Sequence, residues 1–394
     1  MKVLMTTDAV NGLWQYTMEL ARGLLPYGVE IALVAPGVPM TDGQRAEAHA
    51  LPNIELFESP YRLVWMDDPW RDLPESGEWL LNLACRWKPE LVHLNDYPHG
   101  ALPWQAPVLM VAHFCVLSWW QAVGQQRPAI AWQDCRDTVM RGLAGAGRVV
   151  APTATMLESL RRFCGPLPPT CCIPSGRRAA QAQPPGKEPF ILATGRMGDE
   201  ARNIPLLARS ALGLPWPVCI AGEIRGRAPE FANVHWLGGL TPAELADWRS
   251  RAAIYALPAR SEPFGLSVLE AALAGCALVL GDIPSLRDVW GDAALYVDPD
   301  DGRGLRAVAR ALASDAALRL EYAERARLRA ARFTPQRMAA GYWKAYSELA
   351  RPEPSLAKPD SPPAADRRKE GKGGHSSDGL REVLDWMMES GESR

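Results

Sequence analysis

The 394 residues, 47% of them hydrophobic, exceed what one ordinary domain holds and suffice for two cores. Their 43 basic and 45 acidic side chains nearly cancel, which excludes an overall field drawing the chain onto nucleic acid and points to a small or neutral partner. Eight cysteines without repeated metal-ligand spacing read as reduced core thiols, and no apolar run is long enough to cross a bilayer.

The chain opens directly on a strand pattern, Met1-Lys2-Val3-Leu4-Met5-Thr6-Thr7, without the apolar core or cleavage site of a secretory signal. A cytoplasmic location is expected, with peripheral membrane contact left open. Apolar or β-branched runs at 2–7, 30–35, 54–58, 91–95, 108–113, 149–151 and 171–173 alternate with amphipathic stretches, of which 13–25 has helical spacing. Residues 174–189, rich in proline, glutamine, alanine and charge, suit an exposed divider. A second series follows at 190–194, 218–221, 234–237, 253–257, 277–281 and 294–297, with helices at 204–212, 242–251 and 267–274. Each half therefore reads as a doubly wound α/β unit. Residues 303–331 predict two helices and 335–349 a third, whose Met338, Tyr342 and Tyr346 share one face and pack back across the junction. From 351 on, proline, lysine, aspartate and glycine predict a disordered tail in which 380–388 forms a short helix only with a partner.

Chemistry concentrates in Glu262-Pro263-Phe264-Gly265-Leu266-Ser267-Val268-Leu269-Glu270. Ser267 followed three positions later by Glu270 is a capping-box pattern, so a helix is expected to start there with Glu262 in the preceding loop. A pair of hydrolytic carboxyls working by double displacement sits about 5 Å apart. Eight residues of loop and first turn separate these two by on the order of 10 Å, the span of an elongated ligand. Between them Gly265 permits close backbone approach, and the N–H groups of Leu266, Ser267 and Val268 lie where a helix start binds phosphate. The competing reading is a capped helix, with Glu270 bonded to its own backbone and Glu262 solvated.

Elsewhere, Gly195-Arg196-Met197 and Arg202-Asn203 follow the strand at 190–194, where α/β folds deliver side chains to a crevice; two exposed loop arginines are the alternative. Gly12 lies where a strand turns into a helix, a weak signal by itself. His113 ends an apolar strand, and His93 and His99 bracket a second strand-end loop. Nothing resembles a Walker loop, a zinc cluster or a serine elbow, and Asp298-Pro299-Asp300 reads as a loop rather than a metal site, so no metal and no separate cofactor are expected.

The two glutamates resemble the E-x7-E signature of family four glycosyltransferases, the glycogen synthase-like group. The likeness extends through Leu257-Pro258-Ala259-Arg260-Ser261, Leu269-Glu270-Ala271-Ala272-Leu273-Ala274-Gly275, Asp282-Ile283-Pro284-Ser285-Leu286-Arg287-Asp288 and Val297-Asp298-Pro299. It implies an α/β GT-B fold of two Rossmann-like, doubly wound domains facing an interdomain cleft. On that basis residues 1–176 form the acceptor-side domain, 177–189 the linker, 190–334 the donor domain and 335–350 the returning helix. The resemblance also implies roles: Glu262 and His113 at the transferred sugar, Arg196 and Arg202 at the diphosphate, Glu270 at the ribose. It would turn the loop bracketed by His93 and His99 to the same cleft and the acceptor. Arg202 stands where the family usually has lysine. Backbone of Phe264, Gly265 and Leu266 would meet sugar hydroxyls, Leu266, Ser267 and Val268 with Gly12 the phosphates, and Leu237-Gly238 the base.

The expected function is retaining, metal-independent transfer from a nucleotide-diphosphate sugar to a sugar, lipid or other small acceptor. A nucleotide-sugar isomerase, a sugar phosphorylase and a noncatalytic nucleotide-sugar-binding protein are the alternatives. The oligomeric state is not readable from the sequence.

Overall fold

The computed structural model describes residues 1–9, 11–62, 72–124, 129–178, 186–223 and 229–350. Val10, residues 179–185 of the divider, and the expected tail with its 380–388 segment lie outside them.

Strands β1 (Lys2–Thr6), β2 (Glu30–Pro36), β3 (Ile54–Ser59), β4 (Leu91–Leu94), β5 (Val108–Val111), β6 (Arg148–Ala151) and β7 (Thr170–Cys172) form one parallel sheet, in the order β3-β2-β1-β4-β5-β6-β7. A second parallel sheet holds β8 (Glu188–Thr194), β9 (Val218–Ala221), β10 (Val234–Gly238), β11 (Ala252–Leu257), β12 (Ala277–Gly281) and β13 (Leu295–Val297), in the order β10-β9-β8-β11-β12-β13. All thirteen strands stand within two residues of the sequence-based bounds. Central strands are buried along their whole length, as β11 and β12 are, because helices cover both faces of such sheets.

The covering helices in the first half are α1 (Asn11–Leu24), α2 (Asp42–His49), α3 (Leu73–Trp87), α4 (Val116–Val123), α5 (Ala129–Ala144) and α6 (Ala154–Cys164). Those of the second half are α7 (Ile204–Ser210), α8 (Pro242–Arg251), α9 (Leu266–Leu273), α10 (Pro284–Trp290), α11 (Gly302–Ser314) and α12 (Ala316–Ala330), and α13 (Pro335–Leu349) is the last element of the described residues. Close backbone approach in the first half depends on Gly142: a Cβ there would lie 1.8 Å from the Tyr97 carbonyl oxygen.

Helix α13 returns to the first half. Its Met338, Ala339, Tyr342, Ala345 and Tyr346 are buried in one cluster with Val3, Met5, Trp14 and Ile31. Gly23 on α1 leaves the room, since a Cβ there would stand 2.7 Å from the Ala339 Cβ. The halves also meet directly. Thr155 donates to Asp288 from its N–H at 3.0 Å and its hydroxyl at 2.5 Å, and Thr153 Oγ1 donates to the Pro263 carbonyl at 3.2 Å. No helix of the described residues is long and apolar enough to cross a membrane.

Strand order reverses beside β1 in the first sheet, where β2 and β4 flank it, and beside β8 in the second, where β9 and β11 flank it. Crevices at such switch points, beyond the carboxyl ends of the strands, are where doubly wound sheets bind ligands. The loops after β4, β5, β8 and β11 carry Asn95, His113, Arg196 and Glu262, and Gly12 stands in the first turn of the helix that follows β1.

Candidate functional site

The turn into α9 is built around Gly265, the residue before the helix, at φ 84°, a left-handed conformation that a side chain would strain. This conformation aims the free N–H groups of the first helical turn out of the loop. Helix α9 begins at Leu266 rather than Ser267, and its N-cap Gly265 supplies no side-chain bond, so the expected capping box is absent. The N-cap position falls on Gly265, which puts Ser267 inside the first turn, and both carboxylates have other partners. Glu262 Oε1 accepts from the Gly265 N–H at 3.0 Å, folding the acidic side chain back over the turn. Ser285 Oγ donates to the Glu262 carbonyl at 2.6 Å and fixes the loop from α10. Phe264 and Val268 are buried, Phe264 edge-on against Phe333, which leaves the Phe264 backbone as its polar feature; Leu266 and Ser267 are half-buried.

Glu270 faces two guanidinium groups. Arg177 Nη2 lies 2.9 Å from Oε1, and Arg249 on α8 donates to Oε2. Arg177 also donates to Gln15 of α1, so one buried side chain of the divider joins the two halves at this carboxylate. Neither arginine was legible in the sequence, because their pairing depends on tertiary placement. Glu262 and Glu270 open onto different spaces. A cavity of about 510 Å³, bounded by Ser118, Thr155, Met156, Arg260 and Ser285, reaches Glu262. One of about 280 Å³, bounded by Gln15, Met18, Arg177, Arg249 and Leu273, reaches Glu270.

The β8 end supplies the other cations. Arg196 follows Gly195 half-buried, and its carbonyl accepts from the Asp199 N–H at 3.1 Å. Arg202 Nη1 donates to the Thr194 carbonyl at 3.3 Å, and its Nε stands 3.6 Å from Asp199. Burial opposes the charge of Arg202, but the carboxylates of Glu262, Asp199 and Glu270 outweigh it and hold its pKa above the ordinary arginine value. The two glutamates and Arg202 thus share one electrostatic neighbourhood. Asn203, in the left-handed region at φ 59°, ties this loop to the next by donating to the Pro258 and Pro299 carbonyls and accepting from Arg260. Leu237 and Gly238 end β10, and the Gly238 carbonyl accepts from Gly222, whose backbone in turn abuts Gly195. They therefore lie on the same sheet edge as Arg196.

From the first half, Gly12 in the first turn of α1 comes so close to Leu266 that a Cβ on it would be 3.2 Å from the leucine Cδ1. The first turns of α1 and α9 therefore touch here. His113 lies half-buried beyond β5, edge-on to Tyr16 with ring centroids 4.6 Å apart, its Nε2 2.7 Å from Asn95 Oδ1. Burial lowers its pKa to about 4, so the imidazole is neutral at physiological pH. The histidines bracketing the neighbouring loop do not face an acceptor. His93 is fully buried between Tyr346 and Asn95, and His99 is buried between Ser76 and Asp96, because each satisfies both ring nitrogens inside the core.

Arg196 and Arg202, the touching first turns of α1 and α9, and two carboxylates that open onto two cavities between the halves suit a ligand with a diphosphate and polyhydroxyl ends. Comparison with known proteins agrees. Residues 10–179 match the family described as Glycosyltransferase Family 4, and residues 178–329 match Glycosyl transferases group 1. A glycogen synthase of Mycobacterium tuberculosis is 27% identical over 366 residues, covering 81% of this chain and 86% of the relative. The sucrose-phosphate synthase of Thermosynechococcus elongatus superposes with a TM-score of 0.75 at 17% identity, over 88% of this chain and 98% of that one. Anabaena Alr3699/HepE, solved in complex with UDP and glucose, gives 0.68 at 15% identity over 89% and 100%. The two parallel sheets are those of the GT-B fold, and the chain belongs to the group 1 glycosyltransferases of family four, enzymes that transfer a sugar from a nucleotide-sugar donor.

Proposed function

We propose that this enzyme transfers a hexose with retention of anomeric configuration from a nucleoside-diphosphate sugar to a sugar, lipid or other small acceptor. The observation that carries the reading is the contact of Gly12 with Leu266, which brings the first turns of α1 and α9 together in the segment that runs from Glu262 to Glu270. Breaking the anomeric bond places positive charge on the sugar ring and further negative charge on the departing phosphate. Arg196, Arg202 and the N–H groups of Leu266, Ser267 and Val268 stabilise the phosphate side, without need of a metal ion. Glu262, held over its own turn, and the neutral His113 orient the sugar. Glu270 binds the ribose hydroxyls with the oxygen lone pairs its arginines leave free, and backbone at Leu237 and Gly238 meets the base.

In this reading residues 1–176 serve the acceptor and 190–334 the donor, and the larger cavity beside Glu262 is the acceptor's approach. All eight cysteines are free thiols, which favours a reducing, cytoplasmic setting. A UDP-hexose is the first donor to try, by analogy with the UDP and glucose bound in the Anabaena protein. The experiment is a thermal-shift screen of UDP-glucose, ADP-glucose and GDP-mannose, followed by mass-spectrometric detection of transfer in the presence of EDTA. Glu262→Gln and Arg196→Ala should abolish transfer while leaving the melting curve intact. Near-normal turnover in both would remove the site assignment.

A further inference from the structure

The loop after β4 contributes a side chain whose role the donor site does not yet explain. Asn95 Nδ2 donates to the Thr6 carbonyl at 2.5 Å, and its backbone N–H donates to Thr6 Oγ1 at 2.9 Å. With the amide nitrogen so engaged, the opposite atom of the carboxamide is the carbonyl oxygen. That oxygen meets His113 Nε2 at 2.7 Å and His93 Nε2 at 3.2 Å. A carbonyl oxygen only accepts, so each imidazole must carry its proton on Nε2. On the far side His93 Nδ1 then accepts from the Tyr346 hydroxyl at 2.5 Å, which completes a chain from α13 to the cleft. Among the described residues Nδ1 of His113 takes no protein hydrogen bond.

We propose that Asn95 is a positioning residue for sugar transfer: it fixes His113 as the Nε2–H tautomer, so that Nδ1 meets the donor sugar as a hydrogen-bond acceptor. The ring edge of Tyr16 limits rotation of the imidazole that would undo this choice. An imidazole presented in this way recognises a hydroxyl, which can donate, and rejects a phosphate or carboxylate oxygen, which cannot. His113 thereby reads the polyhydroxyl end of the donor while the arginines read its anionic end. The sugar contact rests on the placement of His113 proposed above; the tautomer does not.

The test is long-range proton–nitrogen NMR of the histidine rings in the full-length protein selectively labelled with ¹⁵N-histidine, using His113→Gln for assignment. The expected wild-type spectrum shows neutral, Nε2-protonated His113. Asn95→Ala should mix the tautomers and lower kcat with UDP-glucose, or whichever of the screened nucleotide sugars is the donor, by roughly 10- to 100-fold with less change in KM. In a His113→Ala background the same substitution should cost nothing more, since Asn95 acts through that ring. An Nδ1-protonated His113 in the wild type overturns the proposal, and so do losses from Asn95→Ala and His113→Ala that multiply. Should Asn95→Ala fail to fold, the wild-type spectrum still decides. Full activity in His113→Ala alongside an Nε2–H wild-type ring would instead remove the donor-sugar contact and leave tautomer control by Asn95 standing.

Discussion

Replacing Glu270 with alanine should weaken the fold as well as the site. The carboxylate balances Arg177 and Arg249, whose side chains keep only 8% and 10% of their exposure. Its removal raises the local charge from one positive to two, with no anion between them. Breaking a buried ion pair by deleting one partner costs about 3–5 kcal/mol. Here the lower end is expected, because Arg177 keeps Gln15, Arg249 keeps the Leu245 carbonyl, and the Glu270 side chain is 22% exposed, so water can reach the vacated position. The assay is urea unfolding of the full chain followed by tryptophan fluorescence. A loss of about 3 kcal/mol is expected in Glu270→Ala, with part recovered in the double variant Arg249→Met, Glu270→Ala, which removes one stranded cation. Under conditions where the variant stays folded, calorimetry should find UDP binding weakened roughly 5- to 150-fold, the equivalent of about 1–3 kcal/mol for lost charged hydrogen bonds. An unfolding midpoint equal to the wild type would refute the reasoning about stranded arginines, and unchanged UDP affinity would refute the ribose contact.

Acid should destabilise the protein partly through its neutral histidines. His93 and His113 titrate near about 3 and about 4 because of burial, below the ordinary histidine value of 6.5, so the unfolded chain takes up protons that the native state refuses. Their contribution is complete above pH 6.5 and declines on acidification by about 1.4 kcal/mol per pH unit for each ring. His99, which Asp96 raises against the lowering effect of burial, contributes with the opposite sign. Comparing unfolding of the wild type and His113→Gln from pH 7 to 4 isolates one ring, and parallel pH dependences would contradict its assignment as neutral. Gly142→Ala should cost at least about 3 kcal/mol, since backbone rather than a flexible side chain opposes the new methyl group; Gly198→Ala, with open space around it, should stay within about 0.5. Equal urea midpoints for the two would contradict that packing. Tyr346→Phe should lose about 1–3 kcal/mol by leaving His93 Nδ1 buried without its donor, and a neutral effect would mean that water replaces the hydroxyl.

The strands were legible because two-sided burial writes continuous apolar runs, as in Ala-Ile-Tyr-Ala-Leu of β11, bounded by turn residues. The face of α13 was legible for a related reason: Met338, Tyr342 and Tyr346 recur at helical spacing. The capping-box reading of Ser267 and Glu270 failed where local pattern met tertiary charge. Gly265 takes the N-cap position and Arg249, 21 residues away in sequence, draws the glutamate off the backbone. Asn95 was similarly hidden. Its importance comes from Thr6, 89 residues away, and from one histidine on β4 and another just beyond the adjacent β5, a convergence that spacing along one segment does not express. His93 misled because a strand delivers alternate side chains to opposite faces and this one turns into the core, and His99 because the short 3-10 turn at Pro98–Ala101 buries it against Ser76 and Asp96.

The return of α13 also bears on the order in which the chain can mature. A domain near the amino terminus ordinarily completes itself while the ribosome is still making the remainder. Here the first sheet cannot bury Val3, Met5 and Ile31 against their final neighbours until Tyr342 and Tyr346 have been synthesised. The amino-terminal half therefore waits, with an unfinished apolar face, through the synthesis and folding of the second sheet. Cutting the chain at the divider would leave that face permanently open, so the two halves are not independent modules to be exchanged at will; a transplanted first half needs the helix that the far end of the chain supplies.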